Sequence, residues 1–273
     1  MLLTNCLNYI LPALYFLLVW MYGKAFFASL LPAKRFKTKL LIFVSLIHLT
    51  YLISITIIYR HFPVTTVFEI FTSLAFSVSI LYCIIEFTSR RKETGFFILS
   101  IAFFFQLISS IFIKSTADLP DILQSPYFGI HVSSALIGYA AITIAGAYGL
   151  MYLMLYYEMK SSRFGVIYKK LPTLESLERM AVTAINIVVV LLGTAICFGI
   201  IWLHQVYRGL YYADPKLIGT IIIWIMFVIL AIAEKYFFIR GRKIMLFSVA
   251  GFLVAIFSMT FINIIFSEFH RFF

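Results

Sequence analysis

The chain has 273 residues, of which 63% are hydrophobic and only 12% are charged. Soluble globular domains carry about 25% charged residues, so this composition excludes a soluble protein and predicts an integral membrane protein. The formal net charge of +11 would suggest a nucleic-acid partner in a soluble chain, but membrane proteins collect Lys and Arg in their cytoplasmic loops.

Eight apolar runs are long enough for membrane-spanning helices, each of which needs about 20 residues. They lie near residues 5–23, 40–59, 67–88, 95–113, 131–156, 181–203, 217–238 and 245–266. Backbone groups in lipid must be hydrogen-bonded within the segment, so these runs predict helices and not open strands. The predicted fold is therefore an all-α polytopic membrane protein with a single membrane domain over residues 1–273 and only short loops.

The second and third spans carry the first candidate site residues. His48 lies near the middle of the second span, in SLIHLTYL, where an ionisable side chain is costly and indicates function. The alternative for His48 is a neutral ring that is bonded to a Ser or Thr of a neighbouring helix. Glu69 and Glu86 flank the third span, and Glu69 is predicted to be either an acid of a ligand site or a solvated helix cap.

The fifth span begins with His131, in HVSSALIGYAAITIAGAYG. A stripe of small residues follows it at steps of three and four: Ser134, Gly138, Ala141, Ala145 and Gly149. Such stripes let helices approach closely, so His131 is predicted to lie on the packed face. Helix packing alone explains the stripe, but a His at the outer end of a packed face is also well placed to line a cavity.

A polar and aromatic loop, HQVYRGLYYADPK at residues 204–216, separates the sixth and seventh spans. Its aromatic and charged residues include Tyr207, Arg208, Tyr211, Tyr212, Asp214 and Lys216. The pair Asp214 and Pro215 predicts a turn that starts the next helix. Aromatic rings and cations together could form a cradle for a flat, apolar, dianionic ligand such as haem. An interfacial aromatic belt and an unspecified transporter site are the alternatives.

His270 follows the eighth span, in SEFHRFF. A residue near a chain terminus is usually solvated. The phenylalanines and Arg271 around it indicate instead a segment that lies on an apolar, anionic surface, which is either a layer of lipid headgroups or a porphyrin with its propionates.

The basic residues alternate strictly from loop to loop. Most Lys and Arg residues follow the first, third, fifth and seventh spans, and the other side receives Arg60, Lys114, Arg208, Lys216 and Arg271. This bias predicts that both termini lie outside, and it argues against a nucleic-acid partner. The histidines then gather at or near the outer surface: His61, His131, His204 and His270. Imidazole is a common ligand of iron, although interfacial histidines also bond to backbone or lipid.

Several segments, in this order, resemble the CcsA/ResC branch of the cytochrome c assembly family, which handles haem during maturation of c-type cytochromes. The likeness covers most of the chain from about residue 40 onward. RHFPVTTVFEIFTSLAFSVSILYCIIE resembles the family's stretch between its second and third spans, and LPTLESLERM resembles its cytoplasmic stretch before the sixth. HVSSALIGYAA resembles the segment with the first external ligand His. YRGLYYADPK takes the place of the family's tryptophan-rich loop, and FHRF that of its second external His.

The resemblance implies a haem b cofactor whose iron is held on the outer face by His131 and His270 as axial ligands. It implies that His48 binds haem within the membrane. It also implies that the outer loop covers the haem through Tyr207, Arg208, Tyr211, Tyr212 and Asp214. The expected partners are haem, apocytochrome c and a membrane-anchored subunit, at the extracytoplasmic face of a bacterial plasma membrane or a thylakoid-type membrane.

Two departures from the family pattern keep other functions open. The loop has no Trp, and the neighbourhood of Trp224 lacks the second membrane His that the family carries. The similar HemX proteins, associated with haem biosynthesis, therefore offer an alternative, a membrane regulator or haem sensor. A small-solute transporter is a further alternative, which needs an internal repeat or helices broken at the midplane. Whether the chain is the haem-handling subunit of a cytochrome c haem lyase stays open.

Overall fold

The computed structural model describes residues 2–89, 92–113, 125–162, 164–206 and 215–262. Within these ranges the chain forms α-helices and no strand. In chain order the helices are α1 (Leu2–Gly23), α2 (Leu31–Tyr59), α3 (Val67–Ser89), α4 (Gly95–Phe112), α5 (Pro126–Lys160), α6 (Val166–Lys170), α7 (Leu174–Val206), α8 (Pro215–Phe237) and α9 (Arg242–Phe257). Both α1 and α9 continue into a π-helical turn, Lys24–Ala28 and Ser258–Ile262 respectively.

Eight helices of the described ranges are long and apolar enough to cross a bilayer, namely all of them except α6. The all-α class and the number of spans are therefore confirmed, and the outward orientation of the termini stays a prediction. Three helices extend well beyond the apolar runs: α2 begins at Leu31, α7 begins at Leu174, and α5 covers Pro126–Lys160. Helix α2 has a Pro in its first turn, where the missing N–H costs no intrahelical bond.

The chain divides into two compact units. Unit 1 comprises Met1–Ala117 and Met154–Leu174, and unit 2 comprises Asp118–Leu153 and Glu175–Phe273. Unit 1 thus contains α1 to α4, the last turns of α5, and α6. Unit 2 contains most of α5 together with α7, α8 and α9. The single membrane domain over residues 1–273 stays a prediction.

The interior of unit 1 is rich in polar side chains for a membrane protein. Helices α1 to α4 pack against one another, and among their buried residues are His48, Glu69, Thr72, Ser79, Glu86 and Gln106. Buried polar groups are costly unless they are hydrogen-bonded. These side chains therefore have to find partners on neighbouring helices, and the bonds that they form tie the unit together.

Unit 2 is packed through small residues of α5. A Cβ added at Gly138 would lie 3.2 Å from a methyl carbon of Leu192 on α7, and one at Gly149 would lie 3.0 Å from the carbonyl oxygen of Met245 on α9. Both glycines are buried. Close packing of small residues is a usual way for membrane helices to associate. The stripe that follows His131 thus lies against two neighbouring helices.

Candidate functional site

His131 lies in the second turn of α5 and is half-buried against α7. Its Nδ1 is 2.7 Å from the carbonyl oxygen of Ala195. Gly199 lies under the same ring, because a Cβ added there would be 2.6 Å from Nδ1 and 2.9 Å from Cε1 of His131. The imidazole therefore packs directly on the backbone of α7, with Nδ1 at the carbonyl of Ala195 and the ring over Gly199.

This contact decides which nitrogen of His131 carries the proton. A carbonyl oxygen can only accept a hydrogen bond, so Nδ1 must donate and a neutral ring then has its lone pair on Nε2. Histidines that bind metals usually donate their other ring N–H to a carbonyl or carboxylate in this way. His131 therefore has the donor chemistry that an axial ligand of iron needs. It is the predicted ligand residue that fits its role best within the described ranges.

Aromatic side chains flank His131 on both helices. Tyr127 and Phe198 stack with ring centroids 6.3 Å apart, and Phe128 and Trp202 have centroids 5.0 Å apart. The first residue of each pair lies on α5, in the turn before His131, and the second lies on α7. Aromatic faces next to an imidazole could cover a flat apolar ring. These four residues were not predicted from the sequence, although Tyr127 and Phe128 lie four and three residues before His131, and Phe198 and Trp202 are four residues apart on α7.

His48 is fully buried in unit 1 and both of its ring nitrogens are hydrogen-bonded. Nδ1 lies 2.9 Å from the hydroxyl oxygen of Tyr15 on α1, and Nε2 lies 2.9 Å from Oγ1 of Thr72 on α3. Tyr15 also lies 2.9 Å from Oγ of Ser79. These contacts correspond to the alternative in which a neutral His48 is bonded by hydroxyl groups of neighbouring helices.

The direction of these bonds follows from the next partner along the chain of contacts. Thr72 donates its only hydroxyl proton to Oε1 of Gln106, 2.8 Å away on α4. Thr72 must therefore accept from Nε2 of His48, and Nδ1 of His48 must accept from Tyr15. Gln106 in turn donates to Oγ of Ser110 at 2.9 Å. An ordered row of hydrogen bonds thus joins four helices, and binding of a metal by His48 would require one of its bonds to break.

The two glutamates of α3 are both buried. Glu69 accepts from the backbone N–H of Thr65 at 2.9 Å and from its hydroxyl at 2.5 Å, and Oγ1 of Thr66 accepts from the N–H of Glu69. Glu69 is thus a cap at the start of α3, but it is buried and not solvated. Its other oxygen, Oε1, has no hydrogen-bond partner within the described part of the chain.

Glu86 accepts from Tyr22, 2.5 Å away, and from Thr38.

The remaining predicted residues are distributed as follows. His61 is buried, with Nδ1 3.0 Å from the carbonyl oxygen of Phe62, and His204 is exposed in the last turn of α7. Six predicted residues lie outside the described ranges: Tyr207, Arg208, Tyr211, Tyr212, Asp214 and His270. Over the described part of the chain, no three His, Cys, Asp or Glu side chains form a metal-binding group. A haem iron needs only one or two protein ligands, because the porphyrin supplies the other four.

Comparison with known proteins gives a match to the family described as Cytochrome C assembly protein over residues 10–270. The inner membrane protein YpjD of Escherichia coli K12 is 25% identical over 179 residues, which cover 65% of this chain and 67% of YpjD. Protein HemX of Brevibacillus brevis is 27% identical over 207 residues, covering 75% and 76% of the two chains. The cytochrome c biogenesis protein CcsA of Heterosigma akashiwo is 22% identical over 231 residues, covering 72% of each chain.

Proposed function

Because the chain belongs to the cytochrome c assembly protein family, we propose that it handles haem in the membrane for the biogenesis of c-type cytochromes. The match over residues 10–270 confirms the resemblance predicted from the sequence, and membership supports a role in that biogenesis. More specifically, we propose that the protein presents haem b to apocytochrome c at the extracytoplasmic face. In this proposal a membrane-anchored subunit assists it there.

The orientation of His131 carries this proposal. Its Nδ1–H is engaged by the carbonyl of Ala195, 2.7 Å away, so the lone pair of the neutral ring is on Nε2. In the proposal His131, through Nε2, and His270 would hold the haem iron. Haem, when bound, supplies the vinyl groups that form thioethers with the thiols of apocytochrome c. The chain's own residues hold and orient it.

Other residues have supporting roles in the proposal. The aromatic pairs of α5 and α7 would cover a porphyrin, and the outer loop would cover it further through Tyr207, Tyr211 and Tyr212. Arg208 would be suited to a propionate, because a guanidinium pairs well with a carboxylate, and Asp214 would anchor the helix that follows. His48 would hold haem within the membrane, and its bond to Tyr15 or to Thr72 would have to open to free a ring nitrogen for iron.

The HemX-like alternative also has a specific observation in its favour. The outer loop contains no Trp, and HemX of Brevibacillus brevis matches over 76% of its own length. Under this alternative the protein is a membrane regulator associated with haem biosynthesis, and it does not deliver haem to apocytochrome c. The two functions differ in their partners, which are apocytochrome c in the first and components of haem biosynthesis in the second.

Haem content of the purified protein tests the proposal. We expect wild-type protein, supplied with haem during expression, to retain it, and we expect His131→Ala to lose most of it. Added imidazole should partly restore binding by filling the vacated position. The matched control is His204→Ala, which removes an exposed imidazole from the last turn of α7. A wild-type protein that retains no haem and takes up none from solution would overturn the haem-handling function.

A further inference from the structure

We propose that the carbonyl of Ala195 and the missing side chain of Gly199 are positioning elements that present Nε2 of His131 to its ligand. This inference rests on the proposed function, in which His131 ligates haem iron. In this proposal neither residue touches the ligand. Both act through the imidazole, by fixing its tautomer and its orientation.

The first element is the hydrogen bond itself. The distance of 2.7 Å between Nδ1 of His131 and the oxygen of Ala195 is at the short end of the range for N–H···O bonds. Within a regular helix, the carbonyl of residue 195 also accepts the N–H of residue 199. A carbonyl oxygen has two lone pairs, so it can accept both bonds. The acceptor is therefore fixed by α7 and cannot rotate away as a side chain could.

The second element is the space at position 199, which a side chain would otherwise fill. In a helix, the residue four positions later lies beside a given carbonyl, and here that residue is Gly199. A Cβ at this position would come within 2.6 Å of Nδ1 and 2.9 Å of Cε1 of His131, closer than carbon atoms pack in proteins. The imidazole is a rigid ring, so it would have to move as a whole. Glycine at position 199 is thus what allows the ring to reach Ala195.

The consequence concerns the strength of iron binding. A ligand imidazole that donates its second N–H to a fixed acceptor is held in one tautomer and becomes a better donor at the other nitrogen. Loss of such a partner typically lowers metal affinity by about 10- to 100-fold. We therefore expect Gly199→Ala to weaken haem binding by about 10-fold or more, while His131 itself is unchanged.

Nitrogen NMR of the haem-free protein reads the tautomer directly. The full-length chain, labelled with ¹⁵N-histidine in lipid nanodiscs, should show Nδ1 of His131 as protonated and Nε2 as unprotonated, with the signals assigned by their loss in His131→Ala. Gly199→Ala should shift both signals toward a mixture of tautomers. Gly129→Ala is the matched control, because it lies two residues from His131 on α5 and a Cβ there meets nothing within 4 Å. A wild-type His131 ring protonated at Nε2 would overturn the inference whatever Gly199→Ala shows.

Haem titration of the same proteins separates the inference from the proposed function. If wild type and Gly129→Ala bind haem equally and Gly199→Ala binds it about 10-fold more weakly, the positioning role and the proposed function both stand. If wild type binds haem and Gly199→Ala binds it with the same affinity and keeps its tautomer, the positioning role is overturned and the proposed function stands. If wild type takes up no haem, the proposed function is overturned and the positioning role falls with it.

Discussion

The hydroxyl oxygen of Tyr15 lies 2.9 Å from Nδ1 of His48, and both side chains are fully buried. Because Thr72 gives its proton to Gln106, His48 must donate from Nε2 and accept at Nδ1. Tyr15 is therefore the donor of this pair. One arrangement of donors and acceptors thus satisfies both ring nitrogens of His48 and connects α1, α2, α3 and α4.

Removal of the Tyr15 hydroxyl should destabilise unit 1. Tyr15→Phe leaves Nδ1 of His48 buried without its donor, which costs about 1–3 kcal/mol, and we expect a lower thermal midpoint for the detergent-solubilised protein. The control is Tyr9→Phe on the same helix, since Tyr9 is 75% exposed. Equal midpoints for the two variants would show that the ordered row of hydrogen bonds does not contribute to stability.

Glu86 should be sensitive to loss of its charge. Its carboxylate accepts from the hydroxyls of Tyr22 and Thr38, and it lies 3.6 Å from the ammonium of Lys92, which is half-exposed. We expect Glu86→Gln to lower the thermal midpoint, because the amide keeps one acceptor oxygen and places an N–H donor against the hydroxyl that used the other, at a cost of about 1–3 kcal/mol. Glu93→Gln removes an exposed carboxylate nearby and should have little effect. A midpoint for Glu86→Gln at the wild-type value would contradict this account.

Lys170 should hold α6 against the end of the first span. Its ammonium donates to the carbonyl of Phe26, to the carbonyl of Phe27 at 3.2 Å and to Oγ of Ser29 at 2.6 Å. A cation at the C-terminal end of a helix satisfies carbonyls that have no intrahelical partner. We expect Lys170→Met to raise the rate of amide hydrogen exchange in α6.

The matched control for that variant is Lys169→Met, because Lys169 is exposed on the same short helix. Both changes remove one positive charge, so a general electrostatic effect would appear in both. If the two variants exchange α6 amides equally fast, the contact with the end of α1 does not hold the helix in place.

The orientation of the chain is predicted from charge and can be measured directly. A reporter fused after Phe273, or inserted near Gln124, should report the extracytoplasmic side, and one near Ser162 should report the cytoplasm, where the positive-inside rule places the basic loops. An extracytoplasmic signal from Ser162 would reverse the arrangement. It would also place His131 on the face opposite to that required for haem presentation.

The eight spans could be predicted because the length of an apolar run is itself the physical requirement for crossing a bilayer. The helix bounds were less accurate. The extension of α2 back to Leu31 includes Lys34, Lys37 and Lys39, which hydropathy assigns to a loop. Long basic side chains can keep their charged ends in the headgroup region while the backbone stays helical. A hydropathy pattern therefore marks the apolar core of a helix and not its ends.

His131 could be singled out from the sequence, but the group that orients it could not. The acceptor is a backbone oxygen, and any residue at position 195 would supply one. Gly199 carries more information, yet a glycine in a membrane helix usually indicates helix packing. The aromatic neighbours, such as Trp202, were missed for a similar reason, because aromatic residues are common at membrane interfaces.

Electron paramagnetic resonance of the ferric, haem-loaded protein tests the proposed ligation of haem iron by His131. We predict a low-spin signal with two imidazole ligands in wild type and a high-spin signal in the haem that His131→Ala retains. Added imidazole should return the variant to the low-spin state, because it replaces the missing ligand. A low-spin signal in His131→Ala that matches wild type, without imidazole and at equal haem content, would show that His131 does not ligate the iron.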